Sequence, residues 1–290
     1  MGGIPNFFIV GAPKAGTTSL YHHLRQHPDI YMSEVKEPDF FSADEIRRQG
    51  LYYPSRPVVS AGEYRRLFAA SGDASAIGEA SVSYLFYASV PGKIRRFNPR
   101  SRIIIMLRNP VERAFSHYLM DRRLGLVSIT FADAVRRRTD HPRRDLYHQQ
   151  YVALGQYREQ VQRYLDRFGE GAVKLILFED FMRDRDGILR EIFRFLGVSD
   201  AISLPDSVAR NAFKEPRNRL IGRIYARTWI RRLLRGLLPR RWLASLNTHF
   251  FRRDKPEFDD ATRAYLLDFY RPDIRWLSEH LGRDLESSWK

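Results

Sequence analysis

The stretch Phe7-Phe8-Ile9-Val10-Gly11-Ala12-Pro13-Lys14-Ala15-Gly16-Thr17-Thr18-Ser19-Leu20 constrains this chain more than any other. An apolar strand runs into a glycine-flanked loop, and the loop opens a helix. In that arrangement backbone N–H groups and the positive end of the helix dipole face an anion, as in a phosphate cradle. The spacing approaches the nucleotide loop G-x-x-x-x-G-K-[ST] with one departure: Thr17 stands where that pattern wants lysine, and the lysine sits inside the loop as Lys14. A lysine after the second glycine reaches β- and γ-phosphates beside a magnesium ion. A lysine within the loop suits a donor with a single phosphate at this end.

A second stretch supports the first. Arg102-Ile103-Ile104-Ile105-Met106-Leu107 reads as a buried parallel strand, and it ends in Arg108-Asn109-Pro110, with Pro110 placed to start a helix. On that helix Arg113 and Ser116 stand three apart, on one face. Arg108 at the strand end and Ser116 on the helix are candidates for holding a second phosphate. A nucleotide with phosphates at both ends of its ribose needs two such sites.

These residues resemble the sulfotransferases that use 3′-phosphoadenosine 5′-phosphosulfate (PAPS), in particular the carbohydrate branch with the heparan sulfate enzymes and its bacterial members. Gly11 to Leu20 is similar to that family's loop for the 5′-phosphosulfate, and Arg108 to Ser116 to its 3′-phosphate motif. His27-Pro28-Asp29 and Lys36-Glu37-Pro38-Asp39-Phe40-Phe41 match the segment that places the family's catalytic glutamate. Gly155-Gln156-Tyr157, Phe178-Glu179-Asp180 and Phe195-Leu196-Gly197 fit as well, so the resemblance covers nearly the whole chain.

The resemblance implies PAPS as donor co-substrate with no metal required, and an acceptor that is a carbohydrate, a glycolipid or a small-molecule alcohol, sulfated on a hydroxyl or an amine. Lys14, Ala15, Gly16, Thr17, Thr18 and Ser19 would cradle the 5′ end, and Arg108 and Ser116 the 3′-phosphate. Lys214, Arg217 and Arg219, in Asn211-Ala212-Phe213-Lys214-Glu215-Pro216-Arg217-Asn218-Arg219, match a basic loop that closes over it. Lys14 is expected to stabilise the departing phosphate, and Glu37 to act as the base, with Phe40 and Phe41 anchoring its loop. Lys36 contacts donor sulfate or points to water. The sequence departs from the heparan sulfate pattern at Ala80, where a lysine precedes a Ser/Thr-x-x-Tyr segment in those enzymes. Neighbouring Glu79 is either a second acidic participant or structural, and Tyr84 is expected to pack.

Strands are expected at 6–10, 102–107 and 173–178, with shorter ones near Ile30-Tyr31 and Ala76-Ile77. Helices are expected at 17–26, 61–70, 110–122, 155–168, 187–196 and 259–281, with an ion pair between Glu159 and Arg163. The order predicts an α/β fold, a P-loop-type central parallel β-sheet with helices on both faces, in one domain over 1–290. The polar stretch 125–150 reads as an insertion over the acceptor cleft, and Trp289 as a C-terminal packing anchor.

Zero cysteines exclude disulfides, thiolate metal sites and cysteine nucleophiles. A net charge of +15 calls for an anionic partner or a solvated basic face. Leucine, isoleucine and tryptophan alternate with arginine through 219–243, as in a basic amphipathic helix that packs on the domain or touches a membrane or glycolipid surface. Nucleic acid is disfavoured because no recognised motif accompanies the charge. No secretory leader and no run of ~20 apolar residues is evident, so the expected location is cytoplasmic, with peripheral contact at the inner membrane surface. Two other functions remain open at this point: a P-loop kinase of nucleosides or small molecules, and a basic protein that binds glycans or membranes without catalysis.

Overall fold

A computed structural model of the chain describes residues 3–53, 56–202 and 258–290, together with the backbone of 215–216 and 251–252. Five strands form one parallel sheet: β1 (Phe7–Gly11), β2 (Ile30–Met32), β3 (Ala76–Ala80), β4 (Arg102–Leu107) and β5 (Val173–Leu177), in the order β2-β3-β1-β4-β5. Every residue of β1 is buried, as is all of β4 except Arg102, because a strand covered on both faces must be apolar throughout. Phe7 pairs with Gly78 of β3 on one side and with Arg102 of β4 on the other.

Chain order makes β1 the switch point of the sheet. From β1 the chain crosses to the edge strand β2 and returns to β3 beside β1, then passes to β4 on the other side of β1 and on to the opposite edge, β5. Connections leaving β1 and its neighbours therefore diverge, which opens a crevice at the carboxyl ends of the strands.

Helix α1 (Thr17–Leu24) follows β1 directly, and β4 leads into a longer helix (Pro110–Arg123) whose first residue is the proline that the sequence marks. The helices at Ala61–Arg66, Tyr157–Phe168, Arg185–Leu196 and Asp260–Leu281 fall where periodicity places them, with shorter ends at several termini. Ser60 caps the first of these by accepting from Glu63 N at 3.0 Å. Among the described residues six short α-helices were not foreseen: Ala43–Gln49, Val90–Phe97, Phe131–Arg136, Arg144–Tyr151, Leu285–Ser288 and Phe178–Arg183. None exceeds eight residues, too few turns for a 3.6-residue period to emerge from the polar residues around them. The last corrects the strand expected to reach 178: β5 stops at Leu177, and Phe178 begins a helix. Likewise the stretch 125–150 holds two of these short helices.

Contacts gather the chain into two compact units, one of Met1–Arg113, Leu154–Ala209 and Tyr270–Lys290, the other of Ala114–Ala153 and Arg210–Phe269. The first contains the sheet. The second has its own apolar centre, where Phe115, Phe131 and Phe258 meet with ring centroids 4.5 to 5.2 Å apart. Lys214, Arg217, Arg219 and the 219–243 segment lie outside the described residues. Among the described residues no helix is long and apolar enough to cross a membrane, and no group of three or more acidic or histidine side chains could hold a metal ion.

Candidate functional site

The site is built from three connections that leave adjacent strand ends: β1 to α1, β3 onward, and β4 to the Pro110 helix. The first is pinned at both glycines. A Cβ on Gly11 would lie 2.7 Å from Leu85 Cβ, and one on Gly16 would lie 2.8 Å from Phe178 Cδ2, so neither position has room for a side chain. Gly16 also takes φ 91°, which favours glycine, and Lys14 sits in the left-handed region at φ 70°. Ala12 N donates to Met106 O at 2.6 Å, tying the start of the loop to β4.

This geometry leaves an anion-facing helix start. Thr17 and Thr18 open α1, where amides have no intrahelical acceptor, and Gly16 brings no side chain to cap them. The first turn carries no acidic residue to compete for the dipole. Ala15 and Thr17 are buried, while Lys14, Gly16, Thr18 and Ser19 are half-buried and reachable from outside.

Arg108 follows β4 and turns back over the same loop. Its guanidinium lies 4.8 Å from the centre of the Phe178 ring, with Nη1 3.4 Å from Lys14 O and Nη2 3.9 Å from the Glu112 carboxylate. The ring that closes against Gly16 is thus the ring on which Arg108 rests. Tyr157 donates to Arg108 O at 2.9 Å, fixing the backbone beneath. Asn109 starts the next helix by accepting from Val111 N and Glu112 N, and it donates to Trp289 O at 3.1 Å. Trp289 is buried as an anchor should be, and its carbonyl holds the motif from the far end of the chain. Ser116 sits half-buried on the Pro110 helix and belongs to the second unit. Arg113 is wholly buried beside the Tyr157 and Tyr270 hydroxyls, which makes it structural and separates it from the half-buried Ser116.

Glu37 lies on the connection that follows β2, held to the end of β3. Its N–H donates to Ala80 O at 2.8 Å, and its exposed carboxylate pairs with Lys36 Nζ. Lys36 therefore meets Glu37 rather than solvent alone. Glu37 and Asp39 are both left-handed, at φ 62° and 52°, on either side of buried Pro38. Behind them Phe41 packs edge-on against Phe8, Tyr64, Tyr84 and Phe97, the expected aromatic anchor.

Beneath this turn lies a polar cluster that sequence reasoning largely missed. Glu79 is fully buried and accepts from Tyr64 and Tyr84 hydroxyls at 2.7 and 2.8 Å and from Ser81 Oγ at 2.8 Å. Burial pushes its carboxyl up to about 7 against the pull of these three donors. Asp39, also buried, is raised to about 7 by the same desolvation while Ser83 Oγ donates to it at 2.6 Å. Glu79 thus supports the turn from within and does not face a substrate; Tyr84 packs, as expected, with its hydroxyl engaged. The available signal was an acid inside the otherwise apolar strand Ala76-Ile77-Gly78-Glu79-Ala80. Arg163 corrects another expectation, since its Nη2 donates to Phe86 O at 3.0 Å and no ion pair with Glu159 forms.

An α/β sheet with an anion-facing loop at its switch point defines the broad class as P-loop-like. The chain belongs to the sulfotransferase-domain family, whose pattern matches residues 5–223. It is 33% identical to a sulfotransferase from Alicyclobacillus acidocaldarius of known crystal structure, with a TM-score of 0.74 over 99% of both chains. Mouse sulfotransferase SULT7A1, solved in complex with PAP, shares the fold at 15% identity and a TM-score of 0.50, over 99% of this chain and 88% of that one. Among curated relatives, the human bifunctional heparan sulfate N-deacetylase/N-sulfotransferase 2 is 25% identical over 97% of this chain and 30% of its own length. The chain thus spans less than a third of that relative.

Proposed function

We propose that this protein transfers a sulfuryl group from PAPS to a hydroxyl or amine of a carbohydrate, glycolipid or related acceptor, with residues 1–290 acting as one enzyme. The observation that carries the reading is the meeting of Lys14, the uncapped start of α1 and Arg108 at adjacent strand ends of a sulfotransferase-family sheet. A lysine in the loop and an arginine bonded to that loop's backbone, beside the N-terminus of α1, suit a ligand with separate phosphates.

In this reading Lys14, Ala15, Gly16, Thr17, Thr18 and Ser19 bind the 5′-phosphosulfate. Arg108 and Ser116 bind the 3′-phosphate, and Lys214, Arg217 and Arg219 close over it. The acceptor oxygen or nitrogen forms a bond to sulfur as the bond from sulfur to the bridging oxygen breaks. The electron pair leaves with the 5′-phosphate, giving PAP, and the acceptor proton passes to Glu37. Lys14 and the α1 amides offset the charge that develops on the departing phosphate, where fixed donors act without reorganising. The 219–243 segment would bring a glycolipid acceptor, or the cytoplasmic membrane face, to the enzyme.

Calorimetry tests the donor class. PAP should bind without magnesium and well ahead of ATP or 5′-AMP, and Arg108→Ala should remove most of the preference for the 3′-phosphate. Equal affinity for PAP and ATP would overturn the reading.

A further inference from the structure

The Glu37 turn is an unusual piece of backbone to leave beside a reacting group. Two non-glycine residues in three adopt left-handed conformations, each costing on the order of 1 kcal/mol, so the surroundings must impose the shape. The constraints come from the turn that follows β3. Ser81 Oγ accepts from Asp39 N at 3.1 Å, and Ser83 Oγ donates to Asp39 Oδ1 at 2.6 Å. One serine thus grips the backbone of Asp39 and the other its side chain.

Each serine is itself oriented. Ser81 spends its single proton on Glu79 Oε2 at 2.8 Å, which leaves its oxygen lone pairs directed at the Asp39 amide. Ser83 is 2.7 Å from Ser42 Oγ, whose residue lies in the same aromatic-anchored segment. Ser81 in turn is fixed to the central strand, because its own N–H donates to Ile9 O at 3.1 Å. A continuous chain of bonds therefore runs from β1, whose end carries the Lys14 loop, through Ser81 to the Glu37 turn.

We propose that Ser81 and Ser83 are positioning residues, a pair of hydroxyl clamps that hold Glu37 in register with the loop carrying Lys14. The proposal rests on Glu37 being the base, and it adds what fixes that base in place. Neither serine meets the acceptor; each acts through Asp39. Loss of a clamp releases the turn to relax toward ordinary backbone angles and swings the carboxylate away, a displacement that catalysis by orientation tolerates poorly.

The test uses Ser81→Ala and Ser83→Ala in the full chain, with Tyr64→Phe as control. Tyr64→Phe strips one donor from the same Glu79 carboxylate but leaves both contacts to Asp39 intact. Three quantities are read: release of sulfate from PAPS to water, which needs no chosen acceptor; PAP affinity; and amide exchange at Glu37 and Asp39. Either serine variant should slow sulfate release roughly tenfold, with PAP affinity kept within about twofold. Amide exchange at Glu37 should quicken in both. Tyr64→Phe should lower the melting temperature without changing sulfate release or exchange at Glu37. Should Ser81→Ala fail to fold, Ser83→Ala carries the test alone.

Wild-type sulfate release and exchange in a folded serine variant would overturn the proposal, as would an equal loss of rate in Tyr64→Phe. Glu37→Gln separates the two levels of argument. If it keeps the wild-type rate, the base assignment fails; if it is inactive while the serine variants are not, only the clamps fail.

Discussion

Replacing Glu79 with glutamine should flatten the pH dependence of stability on the acid side of neutrality. The folded protein holds this carboxyl at about 7, against an ordinary value of 4.5, because the side chain is wholly buried. Between those values the folded state keeps a proton that the unfolded state has released. Stability contributed by the group is therefore full below about pH 4.5, falls as pH rises toward 7, and is constant above. At about 1.4 kcal/mol per unit of pKa, the loss across that window is about 3 kcal/mol, a sizeable part of the 5–15 kcal/mol typical of a domain. Glutamine has nearly the same shape, its carbonyl can accept from both Tyr64 and Tyr84, and it does not titrate in this range. The surface carboxylates remain in both proteins and cancel in the comparison; Asp39, raised to about 7 by burial, also remains, and its charge is one of the causes that raise Glu79. Urea unfolding followed by tryptophan fluorescence, at intervals from about pH 5 to pH 8, measures the difference directly. The wild type should lose about 2–3 kcal/mol more than Glu79→Gln over this range. Parallel curves would refute the argument, and would mean that the three hydroxyl donors outweigh desolvation and keep Glu79 ionised throughout.

Three further substitutions probe the frame of the site. Gly16→Ala combines a left-handed backbone with a Cβ 2.8 Å from the Phe178 ring; calorimetry should show weaker PAP binding, and melting should show a loss of about 2–4 kcal/mol. Gly78→Ala would place a Cβ 2.3 Å from Phe7 Cζ between two central strands; chemical denaturation should show a loss of about 1–3 kcal/mol or more from overpacking. Asn109→Ala removes the cap of the Pro110 helix and the bond to Trp289 O; it should cost about 1–2 kcal/mol of stability by denaturation. Amide exchange should rise around Trp289 in that variant, whose loss of the tether also predicts weaker PAP binding by calorimetry.

Much of the architecture was legible because its signals are local. The apolar run Phe7–Val10, the two glycines around Lys14 and the proline after Arg108 each act on neighbours a few residues away. Sterics and burial at that range decide strand, loop and helix start with little help from the rest of the chain. The same holds for the long helices, whose periodicity spans several turns. Short helices such as Val90–Phe97 escape, because eight residues with a proline and a glycine among them read equally well as a turn.

Local residue patterns already place Lys14 between a strand and a helix start, and Arg108 at the end of another strand. It took packing across the sheet to make these ends neighbours, through the order β2-β3-β1-β4-β5, and to rest Arg108 on the ring that closes over Gly16. Packing likewise decided that Glu79 faces inward to Tyr64, Ser81 and Tyr84, and that Asn109 bonds a carbonyl 180 residues away. The physical reason is range: propensity and periodicity act along the chain, whereas desolvation of a carboxyl or stacking of a guanidinium depends on whatever packing brings beside it.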